Sequence, residues 1–142
     1  MKKVVKLIGT LGCVLLLCGC GSKKMSCTMN TDDEVMKSNV LMSVSFKKDS
    51  IDTIKINSNY EIKDEYKDIV QTVKDSYDEV YNISNKNIKY KSSLNDNKID
   101  INLELKYPKL DDDAKTKLGL NDFSGNRDEV KTKLSDLGYT CK

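Results

Sequence analysis

Ile99, Ile101, Leu103, Leu105 and Tyr107 occupy every second position of one stretch, with Asp100, Asn102, Glu104 and Lys106 between them. Successive side chains of a strand point to opposite faces, so this stretch reads as a strand with one buried face and one face in water. Its apolar face must lie against a second layer. Val40, Met42, Val44 and Phe46 repeat the pattern, and Ile54 and Ile56 resume it after the polar Lys47-Lys48-Asp49-Ser50 connection. The spacing predicts a hairpin. A second hairpin is expected where Ile88–Ser92 meets the strand at Ile99 through the turn residues Leu94-Asn95-Asp96-Asn97-Lys98. Pro108, the one proline, closes the strand, because it has no backbone donor for the ladder.

Between the hairpins the period changes. Tyr66, Ile69, Val70, Val73, Tyr77, Val80 and Tyr81 fall three and four apart, which predicts a single amphipathic helix of about five turns over Asp64–Ile83. Its tyrosines are expected in the core, with their hydroxyls at the rim. Asp111-Asp112-Asp113 opens a short helix, and Val130, Leu134 and Leu137 lie on one face of another that Gly138 stops. Brief strands are expected at Ser26–Met29 and Tyr139–Cys141. The fold class is therefore α+β: an antiparallel sheet with one long amphipathic helix packed across a face, plus one or two short C-terminal helices.

The first twenty residues belong to a different kind of segment. Lys2, Lys3 and Lys6 precede an apolar run from Val4 to Leu17 that is short for a membrane span, as in a signal peptide. Leu17-Cys18-Gly19-Cys20 resembles the lipobox of bacterial lipoproteins, with Cys18 where Ala, Ser, Thr or Val is more usual. The resemblance implies a signal peptide at 1–19, cleavage before Cys20, and lipidation of Cys20 by diacylglycerol with palmitate-type acyl chains. Two acyl chains hold a protein stably on a bilayer. Residues 20–25 then form the lipidated cysteine and a short tether, and 26–142 a single domain. The expected location is the bacterial cell membrane, with the domain on the extracytoplasmic side.

Of five cysteines, Cys13 and Cys18 leave with the signal and Cys20 carries lipid, so Cys27 and Cys141 remain. In an exported domain a structural disulfide is the simplest reading of such a pair. A redox pair is the alternative, although redox cysteines usually stand close in sequence.

Composition excludes several activities. The chain has no histidine, so imidazole cannot serve as base, metal ligand or switch. Glycine patterns that cradle nucleotides are absent, and two remaining cysteines cannot meet a zinc spacing. The Asp111–Asp113 run lacks the spaced carboxylates of a calcium loop. Without the leader lysines the charge is 21 basic against 22 acidic residues, unlike a nucleic-acid binder. No catalytic residue, cofactor, metal or nucleic acid is expected, and the chain reads as a non-enzyme and a monomer.

The lipobox, Cys27-Thr28, the Phe46–Ile51 hairpin, the helix, the Ile99–Tyr107 strand and the ending Leu137-Gly138-Tyr139-Thr140-Cys141-Lys142 together resemble small bacterial lipoproteins of the YehR-like type. That resemblance implies a compact α+β lipoprotein and transfers no functional residues. The expected function is a non-catalytic interaction module at the cell envelope, contacting an envelope protein or polymer. The alternative is a small-ligand binding or sensor lipoprotein.

Overall fold

The computed structural model of the protein describes residues 23–142. The expected signal peptide at 1–19 and the expected lipidation site, Cys20, lie outside the described residues. Six antiparallel strands form one sheet: β1 (Lys23–Asp32), β2 (Met36–Lys47), β3 (Ser50–Ile62), β4 (Ile88–Asn95), β5 (Lys98–Lys106) and β6 (Thr140–Cys141), in the order β4-β5-β3-β2-β1-β6. Three α-helices, α1 (Val70–Tyr81), α2 (Asp112–Lys117) and α3 (Arg127–Asp136), accompany it. The class is α+β, as the alternation and the change of period imply.

Both expected hairpins form, and the pairing puts every inward apolar position in register. Val44, Ile54, Leu105 and Ile88 make one row across β2, β3, β5 and β4. All four are buried. β3 carries one extra residue against β2: Ser45 faces Thr53 and Phe46 faces Ile51, leaving Asp52 between. This bulge turns Ile51 inward alongside Ile54, although the two are an odd number of residues apart. The core continues from Met25, Cys27, Met42 and Phe46 on the sheet to Leu110, Ala114, Leu120, Phe123, Val130 and Leu134 on the C-terminal helices and their connections.

Four expectations are corrected. The first strand begins at Lys23 and runs ten residues, so the last three residues of the expected tether belong to the sheet, and Met25 is core. The strand expected to reach Tyr107, β5, ends at Lys106, with Tyr107 opening a 3-10 turn through Pro108. Nor is the long helix continuous: Asp64–Ile69 is a 3-10 segment, with Tyr66 at φ −120°, ψ 19°, and α1 begins at Val70 and ends at Tyr81. The break has a cause in tertiary contacts. Lys63 is fastened to Val35 by a backbone hydrogen bond, Lys67 pairs with both Asp64 and Asp96, and Tyr66 donates to Glu34. These attachments tighten the first turns before the α-helical spacing can establish itself. Lastly, no residue of α1 is fully buried: Tyr81 packs partly buried against the core, and the other helix tyrosines stay outside it.

The C-terminal helices follow their sequence signals. Asp111 caps α2 by accepting from the backbone of Ala114 at 2.8 Å, which explains the acidic run as a helix start. Asn126 and Glu129 form a reciprocal capping box on α3. No described helix is long and apolar enough to cross a membrane.

Candidate binding groove

Cys27 and Cys141 face each other across β1 and β6, and their sulfurs are bonded. Ser26 and Lys142, one residue along, exchange both backbone hydrogen bonds at 3.2 and 2.8 Å. The cysteines therefore occupy the closer, non-hydrogen-bonded kind of antiparallel pair, with Cα atoms 4.0 Å apart. β6 is only two residues long, and the bridge fixes it to the sheet edge.

The bridge also ends a row that spans the sheet. Register aligns Tyr90, Leu103, Ile56, Met42, Cys27 and Cys141 across β4, β5, β3, β2, β1 and β6. Over the middle of this row lies an apolar groove of about 210 Å³, floored by Met42, Ile56 and Leu103. Tyr81 of α1 stands on one side, Leu118 and Phe123 close another, and Leu134, Leu137 and Tyr139 form the C-terminal wall. Gly138 adopts φ +93°, a conformation that favours glycine, and so turns the chain from α3 into that wall. Leu137, 65% exposed, and Val80, 48% exposed, are the large exposed apolar side chains among the described residues, and they stand at the ends of the two helices that flank the groove.

Tyrosines continue from the groove along α1. Tyr60 and Tyr77 stack with ring centroids 4.6 Å apart, and Tyr81 lies 6.2 Å from both Tyr77 and Tyr90. Burial raises the Tyr77, Tyr81 and Tyr139 phenols, and neighbouring tyrosine hydroxyls raise them further. They remain neutral donors at ordinary pH. Helical spacing makes Tyr77 and Tyr81 visible in the sequence. Tyr60, Tyr90 and Tyr139 join them from three separated strands or connections, a grouping that only strand order reveals.

Asp78 holds this helix in place. Its carboxylate accepts from Tyr90 Oη at 2.6 Å, Ser92 Oγ at 2.7 Å and Lys74 Nζ at 2.6 Å. The Lys74 hydrogen bond, then that of Tyr90, lowers its pKa to about 2. Burial, then the Asp78 hydrogen bond, pushes Tyr90 up to about 12. A carboxylate so saturated with donors is poorly placed to take a proton from a substrate.

The opposite face of the sheet is polar. Glu104 pairs with Lys55 at 3.1 Å and Lys89 at 3.3 Å, and Asn59 donates to Asp100 at 2.6 Å. Glu104 thus holds two lysines of that face. No group of three or more metal-ligating side chains occurs among the described residues.

No protein-family model matches the chain, and no curated protein is significantly similar to it. Among solved structures, the chain is similar to the NMR structure of a protein from Streptococcus pneumoniae TIGR4, with a TM-score of 0.59 at 12% identity, over 100% of this chain and 98% of that one. At that identity the likeness is one of fold.

Proposed function

We propose that the protein is a membrane-tethered bacterial lipoprotein of the YehR-like type, anchored through Cys20 on the extracytoplasmic side, and that it acts as a non-catalytic interaction module. The observation carrying the binding role is the groove, because the exposed Leu137 lines an apolar depression whose rim tyrosines, Tyr81 and Tyr139, offer hydroxyls. Large aromatic and apolar anchors surrounded by polar groups are the usual composition of a contact surface. The expected partner is an envelope protein or polymer met by the ends of α1 and α3. α1, pinned to the sheet through Asp78, forms one side of this surface with Tyr81.

A small-ligand reading draws on the groove's volume. About 210 Å³ is below the usual range of small-molecule sites, roughly 300–1,000 Å³, so the ligand would be small and apolar.

Photo-crosslinking in cells separates these readings. A crosslinking residue at Leu137 should capture a defined envelope component that the same residue at Lys91, on the polar face, does not. Equal capture from both positions removes the groove from the proposal. Cys20→Ser should abolish lipid labelling; persistent labelling would remove the anchor.

A further inference from the structure

Charge is unevenly distributed along the strands. At the end holding the β1–β2 loop and the β4–β5 turn, lysines are paired. Lys37 and Lys63 meet Asp32, Lys67 meets Asp64 and Asp96, and Lys98 meets Glu61, all at 3.0–3.8 Å. The other end differs. Register sets Lys23 opposite Phe46 and Lys24 opposite Ser45, immediately beside Lys47 and Lys48 at the β2–β3 turn. Continuing outward from Ser45, Thr53 faces Lys106. Arg127, the first residue of α3, lines an open depression with Lys23 and Lys24.

Among the described residues Lys23, Lys24, Lys47, Lys48 and Lys106 have no ion-pair partner. The acids at this corner are Asp49, Asp52, Asp128, which is 4.0 Å from Arg127, and Glu129, which accepts from the backbone of Asn126. Six cations therefore face four acids. Residues 1–22 contain no Asp or Glu, so the preceding chain brings no neutralising charge. The segregation occurs although residues 23–142 carry a formal charge of only −1, with 21 basic and 22 acidic residues.

We infer that this corner is a membrane-facing surface that binds anionic phospholipid headgroups. Its placement rests on the lipoprotein reading, whereas its charge does not. Lys23 lies three positions after Cys20, an extended reach of about 10 Å. The Debye length at physiological salt is about 8 Å. A tether that short holds the unpaired lysines within about one screening length of the headgroups, where each basic residue adds roughly fivefold to binding. The self-paired end then points away from the bilayer.

The core from Met25 to Leu134 and the Cys27–Cys141 bridge all lie within the chain that starts at Gly21, so that unlipidated chain carries the whole fold. Its sedimentation with vesicles of equal phosphatidylglycerol and phosphatidylcholine is compared with pure phosphatidylcholine at low salt. Expected is binding at least tenfold tighter to the anionic vesicles, lost at high salt. Replacing Lys23, Lys24, Lys47 and Lys48 together by Gln should weaken it more than tenfold. Replacing Lys37, Lys63, Lys67 and Lys98 by Gln makes the same change in charge and should leave it within twofold. Equal binding to both vesicles, no binding to either, or equal losses in the two quadruple variants overturns the inference. Lipid labelling at Cys20 is read separately, so loss of the anchor and loss of the basic surface give different results.

Discussion

Tyr90 of β4 donates its hydroxyl to Asp78 of α1 at 2.6 Å, joining a helix without a fully buried residue to the edge strand of the sheet. The pair makes stability depend on pH at both extremes. Asp78 has its pKa lowered to about 2 from an ordinary 3.8, so its contribution is complete above pH 4 and is lost as pH falls towards 2. Tyr90 is shifted from 10 to about 12, so its contribution is present below pH 10 and lost as pH rises through 12. Ultraviolet titration of the tyrosines should show one phenol ionising near pH 12 that moves to lower pH in Asp78→Asn. A titration in which Asp78→Asn moves no late phenol to lower pH would contradict the contact.

Asp78→Asn keeps the side chain's shape but removes the charge that three donors share. Chemical denaturation should show a loss of about 1–2 kcal/mol. Tyr90→Phe should cost about 1 kcal/mol, and the double variant should lose less than the sum, because both changes remove one interaction.

The bridge closes a loop of 114 residues, which the chain-entropy model equates with about 4–5 kcal/mol. Cys27→Ser with Cys141→Ser should lower the denaturation midpoint markedly, and reductant should lower that of the natural chain by a similar amount. A midpoint indifferent to reductant would show that the sulfurs are not joined in solution.

The groove's wall and rim should separate stability from binding. Leu134, 1% exposed, should cost about 2–5 kcal/mol as Leu134→Ala. Leu137, largely in water, should change stability by no more than about 0.5 kcal/mol as Leu137→Ser while weakening whatever the groove binds. Thermal melts and crosslinking yields on the two variants supply both readings.

Gly125 stands at φ +115°, and a Cβ there would run into the Glu129 carboxylate that completes the α3 capping box. Gly125→Ala should therefore destabilise by about 1–3 kcal/mol through backbone strain and a disturbed cap. Glu129→Ala, which removes the obstruction, should make the glycine substitution less costly.

Alternation made β2, β5 and both hairpins legible because each strand has one face in water and one in the core. The caps of α2 and α3 were legible because Asp111 and Asn126 act on backbone groups two or three residues away. Local pattern failed where distant contacts decide. The 3-10 segment is imposed by Glu34 and Asp96, 32 and 29 residues from Tyr66 and Lys67. The inward turn of Ile51 depends on a bulge that follows from pairing with β2. The groove was hidden for the same reason: its floor is one row drawn from strands scattered over sixty residues, and strand order is not written in any one of them.

The row from Tyr90 to Cys141 also makes the groove depend on the far end of the chain. Met42, Ile56 and Leu103 lie on β2, β3 and β5, but Leu137 and Tyr139 come almost last in the sequence and are held by a bond at position 141. A prematurely terminated chain therefore lacks the groove's wall. Complete, oxidised molecules alone present the finished surface, so a partner that recognises the whole groove discriminates against unfinished copies without any separate quality check.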